Sequence, residues 1–503
     1  MKSASEPSGV YVLGTAGSGI DGLLNQYDDA ITAETNSGED RFTGYVLRVL
    51  LDDLIGNDTA TSGAIQYDFS PIINSIQTIQ QETRGVRPVG TYGDPVTLQI
   101  LTRNAPPAIV MAQIPDAEEY TRDGEQIPLP WSQAAVTVLQ GLYTALANTT
   151  ITDFSQPGNP TVLLKDHPTL VNINNTTLGH KGYRDNTNDP VITHIWTIPD
   201  YDRDLYVANL FGTIKTIMAA FPNDFGFVEY FGFNDKKDSQ FGGETLDQRV
   251  DRELDPLFNG VGQPSFGVWR ENLSESSPSV AAGQNLLDYE GEDFVNDSEG
   301  HVLMQSIRNW LGPQPTFGDD ATSSGSVSNG MLFGYIHHGV RYLETYIQDV
   351  TITTDDIKLA FESILGHPVR DAEATDIQVT LKNLLVDWNA YLVHGPTLMA
   401  DSVTVNQDSG ANTIRAMDND ALPPGVSPWD NPNTDFPTAT DLLKLTVTAV
   451  TQGTNGAVVI AANGSDVTYT PNAGFSGTDS FTYTVRDQSV GITTATVVVT
   501  VPP

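Results

Sequence analysis

Two hydrophobic rhythms divide this chain. Through residue 395, short apolar runs alternate with stretches in which apolar residues recur at helical spacing. The runs are Val10–Leu13, Gly44–Leu54, Pro95–Leu101, Thr169–Asn174, Gly226–Phe233, Ser265–Leu273 and Val340–Ile347, with a weaker one at Gly312–Gly318. Such runs predict strands buried on both faces, as in a parallel sheet. The helical sets are Ile72, Ile76 and Ile79 behind Ser70-Pro71; Trp131, Val138, Leu139, Leu142 and Leu146; Leu205, Ala208, Phe211, Ile214, Ile217 and Met218; and Leu246, Val250, Leu254 and Leu257. Val302, Ile307 and Trp310 predict a further helix, as do Met331–His338, then Ile357, Ala360, Phe361 and Ile364, then Leu381–Leu392. Eight strand–helix units predict a (β/α)8 barrel, with a doubly wound open sheet as the alternative topology.

From Asp401 the period falls to two. Leu445, Val447 and Val450, then Val467, Tyr469 and Pro471, then Phe481, Tyr483 and Val485 alternate with polar residues between Gly, Asn and Asp turns. That pattern predicts a C-terminal antiparallel β-sandwich. The chain divides into a barrel over 1–395, a linker over 396–402 and a sandwich over 403–503.

Both parts resemble known families. The pieces NDALPPG, LTVTAVTQGTNGAVVI, VTYTPNAGFSGTDSFTYTV and TTATVVVTV resemble the bacterial cadherin-like or immunoglobulin-like repeats of secreted and surface proteins. The resemblance implies an address outside the cell, or on a phage particle, and a spacer or anchor role. Upstream, Gly63…Tyr67-Asp68-Phe69-Ser70, Ala105-Pro106-Pro107 and His167-Pro168 resemble the front half of clan A glycoside hydrolases, the β-galactosidase-like barrels among them. That resemblance implies a sugar-cleaving barrel with an acid/base after an Asn on strand four and a nucleophile on strand seven. The chain departs from the pattern at both places. Strand four ends Asn172-Ile173-Asn174-Asn175, and the region expected for strand seven offers Gln314, Asp319 and Asp320.

Three glutamates fall inside predicted strands instead: Glu229, Glu271 and Glu344. A carboxylate in an apolar run is costly unless paired or functional. As a catalytic set, Glu271 is the acid/base and Glu344 the nucleophile or charge stabiliser, with Glu229 as the other candidate. The structural alternative pairs each with an arginine, Arg270 and Arg341 being nearest in sequence. Asp52, Asn174, Trp269, Tyr230 and Tyr346 are the candidate ligand contacts, with Trp196, Tyr201, Phe231 and Tyr342 as further rings; an aromatic in a large barrel otherwise serves the core. The barrel calls for no cofactor. Asp418 and Asp420, flanking Asn419, supply the hard oxygens that calcium favours, the alternative being a hydrated acidic turn. His337-His338 are adjacent and so do not share a helix face. Gly14–Gly19 lacks the Lys-Ser/Thr of a phosphate loop.

Composition narrows the partners. With 25 Lys+Arg against 63 Asp+Glu, the formal charge is −38. This field repels nucleic acid and anionic membranes and suits a neutral or cationic ligand; the glycosidase resemblance implies a polysaccharide or cell-surface glycan as the partner. Cysteine is absent, which removes disulfides, thiolate metal sites and thiol nucleophiles. No run approaches the roughly 18 apolar residues of a membrane span. No apolar signal core stands near Met1, so export by a removed signal, by another route, or residence in a virion are the three expectations. The segment TTATVVVTV, read as an exposed edge strand, offers self-association through the sandwich. The functional expectation is an extracellular carbohydrate-active protein, and the alternative is a non-catalytic structural or adhesion protein on a degenerate barrel. Convergence of Glu229, Glu271 and Glu344 on one cleft discriminates between them.

Overall fold

The computed structural model describes residues 7–14, 25–32, 41–55, 63–83, 93–101, 106–122, 124–175, 198, 200–229, 252–254, 257, 259–260, 263–264, 266–273, 302–306, 340–365, 368–395, 398–417, 420, 446–462, 464–486 and 492–503. Eight parallel strands form a closed ring: β1 (Gly9–Leu13), β2 (Gly44–Leu50), β3 (Val96–Leu101), β4 (Leu170–Asn175), β5 (Phe225–Glu229), β6 (Phe266–Leu273), β7 (Val302–Ser306) and β8 (Tyr342–Tyr346). β1 pairs with both β2 and β8, which closes the barrel and rules out the open doubly wound sheet. Seven of the strands lie on predicted runs. The seventh does not: it is Val302–Ser306, where a helix was expected, and Gly312–Gly318 lies outside the described residues. The five residues VLMQS are too short for periodicity to tell strand from helix, and the helical spacing of Val302, Ile307 and Trp310 crosses the strand's end at Ser306.

The wall strands show why the runs are continuous. One face of β1, β2 and β3 (Val10 and Val12; Tyr45, Leu47 and Val49; Val96, Leu98 and Ile100) packs outward against the helices. The other face turns inward, where Tyr11, Leu13, Val46, Phe225, Phe227 and Tyr342 form a separate cluster. The helices begin where local chemistry starts them. In α1 (Ser70–Thr83), the Asp68 carboxylate accepts the Ser70 N–H at 2.9 Å. Ser132 caps α2 (Gln133–Ala147) by accepting the Ala135 N–H, and Asp202 caps α3 (Arg203–Ala220) by accepting that of Leu205. After β8 come a single helical turn, Ile347–Thr351, and then two longer helices, α4 (Thr354–Leu365) and α5 (Asp371–His394). Among the described residues no helix is long and apolar enough to cross a membrane.

α5 locks the barrel shut. The Asn389 Oδ1 accepts the Val10 N–H and the Thr43 hydroxyl, each at 2.8 Å, so the last helix bonds the first strand. Gly9 makes this approach possible: its φ is +99°, and a Cβ there would collide with Thr43 and Asn389. Asn389→Ala leaves the buried Val10 N–H without an acceptor. The expected result is a loss of about 1–3 kcal/mol of stability, read as a lower urea midpoint; an unchanged midpoint would show the clasp to be dispensable.

Among the described residues the C-terminal module is a sandwich of seven strands. One sheet runs β9 (Asp401–Thr404), β15 (Ile492–Val501), β14 (Gly477–Arg486), β11 (Thr446–Val450); the other runs β10 (Asn412–Ile414), β13 (Val467–Pro471), β12 (Gly456–Ile460). Pairing is antiparallel except between β9 and β15. The alternating residues meet between the sheets: Val447, Val458, Val467, Tyr469, Phe481, Tyr483, Val485, Val497 and Val499 are all buried. The module's first strand begins at Asp401. TTATVVVTV is not an edge: as β15 it is bonded on both sides, to β9 and β14. Its apolar alternation marks a strand that needs a neighbour on each flank.

Candidate functional site

In a parallel barrel, the loops that leave the C-terminal ends of the strands build the ligand site. Beneath that rim the interior of this barrel is polar on β2, β3, β4 and β8. Arg48 of β2 donates through Nε to the Gln99 Oε1 at 2.9 Å, and Gln99 donates through Nε2 to the Glu344 Oε1 at 2.9 Å. The Tyr342 hydroxyl donates to the same oxygen at 2.8 Å and stands 3.0 Å from the Thr97 hydroxyl. Burial first, then the neighbouring Glu344, pushes the Tyr342 hydroxyl well above the usual phenol range, so it stays a neutral donor. Glu344 is fully buried, and two donors from two strands fix its carboxylate. The arginine behind it is Arg48, relayed by Gln99. The sequence neighbour Arg341 instead donates to the carbonyls of Leu392 and Val393 at 3.2 and 3.4 Å.

Register places the other candidates around this centre. Glu271 is level with Gln305, and Gln305 with Glu344, so the two glutamates stand on strands two apart, about 10 Å between backbones. Glu229 is the last residue of β5 and is level with Trp269 of β6. All three glutamates therefore belong to four neighbouring strands, β5 to β8. Asn174 of β4 is level with Gln99, and Asn172 with Thr97. Asn172 is fully buried with both amide atoms unbonded, and the Asn174 Oδ1 is buried and unbonded. A buried amide of this kind keeps unused donor and acceptor capacity, the kind a bound hydroxyl or water satisfies. Tyr346 ends β8, half-buried against the interior cluster. Tyr342 belongs to the core.

The long excursions after β3 and β4 bring Trp131 and Tyr201 into one apolar cluster with Tyr206 and Val207 of α3. A hairpin (Glu119–Arg122 with Glu125–Pro128) precedes Trp131. Trp131 packs edge to face on Tyr201 at 5.5 Å. Asp200, beside Tyr201, holds φ at +60°, a left-handed conformation uncommon outside glycine. Asp52 is not on a strand; it sits half-buried in the 3-10 turn Leu51–Leu54 directly after β2. Tyr230 and Asp418 lie outside the described residues. Asp420 is engaged in the fold of the sandwich, accepting the Met399 N–H at 2.9 Å and the Tyr483 hydroxyl at 3.0 Å, and burial raises its carboxyl above the usual range. Among the described residues no cluster of three or more His, Asp or Glu is arranged for a metal ion.

Arg48, Thr97, Gln99 and Asn172 escaped the sequence reading. Their signal was present. In YVLRVL, VTLQIL and LVNIN, every polar residue takes the same alternate phase of an otherwise apolar run. That is the mark of a barrel lumen that is not filled by aliphatic layers alone.

The family profile described as Bacterial Ig domain matches residues 394–500. No curated protein matches the chain. Solved structures similar to it include glycoside hydrolases. The cold-adapted β-galactosidase from Rahnella sp. R3 is 10% identical, with 81% of this chain and 60% of that chain covered, at a TM-score of 0.41. The β-galactosidase from Bacillus circulans sp. alkalophilus is 13% identical, covering 79% and 59%, at 0.42. The β-1,4-D-mannanase from Cryptopygus antarcticus is 12% identical, covering 69% and 86%, at 0.37. The chain thus spans less than two thirds of the length of these β-galactosidases. At these scores the barrel rests on its own strand pairings.

Proposed function

We propose that this protein is a carbohydrate-active barrel that takes a polysaccharide at the C-terminal mouth of its strands, displayed outside the cell with the sandwich as spacer or anchor. The observation that carries this reading is the Glu344 carboxylate, fixed inside the barrel by Gln99 and Tyr342 on one level with the backbone of Glu271. Catalytic sites hold their carboxylates by such donors. Full burial suits Glu344 to stabilise developing positive charge on a sugar ring, and leaves proton transfer to Glu271. Asn174, Tyr201 and Tyr346 supply the hydroxyl partner and ring surfaces for the saccharide.

A second reading has its own observation. The placed strands four and seven, LVNINN and VLMQS, hold no carboxylate. A barrel that binds a glycan without cleaving it fits that absence. A screen of purified protein on marine and plant polysaccharides separates the two. Sugar release that falls by roughly 10²–10⁴-fold in Glu271→Gln supports catalysis. Retention of a polysaccharide on an affinity gel, unaltered by Glu271→Gln and without release, supports the binding barrel. Release unchanged by both Glu271→Gln and Glu344→Gln overturns the assignment of these residues.

A further inference from the structure

Among the described residues, four sandwich strands have one open side: β9 and β11 in one sheet, β10 and β12 in the other. Open sides invite pairing with another chain. β9 and β10 are only four and three residues long. β11 is met on its open side by Gly464, whose carbonyl accepts the Val447 N–H at 2.8 Å. β12 is protected differently.

The phase of β12 follows from its flanking bonds. Asn472 N–H donates to the Asn455 carbonyl at 2.8 Å, and Ala461 N–H to the Asp466 carbonyl at 2.9 Å. In an antiparallel pair, bonding residues alternate with non-bonding ones. So 455, 457, 459 and 461 bond toward β13, and Gly456, Val458 and Ile460 turn their peptide groups to the open side. At the middle of these three sits one side chain. The Gln452 Oε1 accepts the Val458 N–H at 2.8 Å, and its Nε2 donates to the Val458 carbonyl at 2.9 Å. This double exchange is what a residue of a neighbouring strand makes. Gln452 stands in for a strand.

We infer that Gln452 is an edge guard, and that the partner it excludes is a second copy of this chain, joined through the same edge. The edge is self-complementary about Val458. In a two-fold antiparallel pair, Val458 would exchange both bonds with its counterpart, Ala457 would face Val459, and Gly456 would face Ile460. GAVVI places no charge against itself in that pairing. Ala457 is exposed and Val459 is 61% exposed, so their apolar surface is open to a partner. The inference is independent of any activity of the barrel.

Light scattering on the full chain tests it. Gln452→Ala frees the edge and is expected to double the mass found for the wild type as concentration rises. Adding Ala457→Lys and Val459→Lys sets lysine against lysine across the two-fold, which is expected to return the mass to the wild-type value. Equal mass for wild type and Gln452→Ala at every concentration overturns the inference. So does a doubled mass that the lysines leave unchanged. If Gln452→Ala precipitates, the triple variant decides: wild-type mass and solubility support edge pairing, and precipitation overturns it.

Discussion

Glu344→Leu is expected to cost the barrel about 3 kcal/mol. The substitution removes a buried acceptor shared by two donors. Tyr342 can turn toward the Thr97 hydroxyl 3.0 Å away. Gln99 has no such recourse, because Arg48 already holds its oxygen at 2.9 Å and so fixes which way the amide faces. The stranded N–H of Gln99 carries most of the loss. Glu344→Gln keeps an oxygen in the same place and is expected to stay within about 1 kcal/mol of the wild type, since the hydrogen bonds survive and only the charge is lost. Urea unfolding followed by tryptophan fluorescence, to which the buried Trp131 and Trp388 contribute, reads the difference. Equal midpoints for Leu and Gln would show that Glu344 is held by packing alone.

A comparable loss is expected in the sandwich from Asp479→Ala. Asp479 is buried beneath the β11–β12 turn and accepts the Tyr469 hydroxyl at 2.8 Å together with the N–H groups of Thr454, Asn455 and Ser480. Gly453 and Gly456 let the turn close over this centre: a Cβ at Gly453 would strike the Asp479 carboxylate, and one at Gly456 the Tyr469 ring. Removing the acceptor strands several donors and is expected to cost about 3–4 kcal/mol, a large share of what a module of this size possesses. Tyr469→Phe, which deletes one bond, is expected to cost about 1 kcal/mol. The same carboxylate gives the sandwich an acid limit. Burial raises its affinity for protons, but the hydrogen bonds from Tyr469, Asn455, Ser480 and Thr454 outweigh burial and hold the group below the usual carboxylate range. A group depressed on folding stabilises the folded state above its unfolded value, about 3.9 for Asp, and that contribution fades as pH falls through the folded value. Thermal midpoints of the wild type are therefore expected to drop steeply below about pH 4. Those of Asp479→Ala, lower at neutral pH, are expected to drop less steeply.

The architecture was written openly in the chain because both rhythms are products of burial. β1 needs two covered faces, so its apolar run is unbroken; β13 and β14 need one, so Val467, Tyr469, Phe481 and Tyr483 alternate. β7 was hidden because five residues of VLMQS carry no period. The site was half legible. Glu344 stood out as a charge in an apolar run. Its partners did not, since Gln99 and Arg48 lie 245 and 296 residues upstream, and only barrel closure brings β2 and β3 within reach of β8. Arg341 is close to Glu344 in sequence, but residues an odd number apart along an extended run face opposite sides of the wall, and these two are three apart. The same blindness hid the Gln452 guard, which depends on which side of Val458 its peptide faces.

The clasp of Asn389 on Val10 also sets a clock. The two residues are 379 apart, so a ribosome working at about 5–20 residues per second makes Val10 roughly 20–75 s before Asn389 exists. For most of that interval, until Tyr342–Tyr346 is made 43 residues ahead of Asn389, β1 has β2 on one side and nothing to occupy the other. The barrel must be born as an open, sticky half-cylinder and can round itself off only near the end of translation. The sandwich behind it draws all its pairings from about one hundred consecutive residues, and can be finished within seconds of its own synthesis.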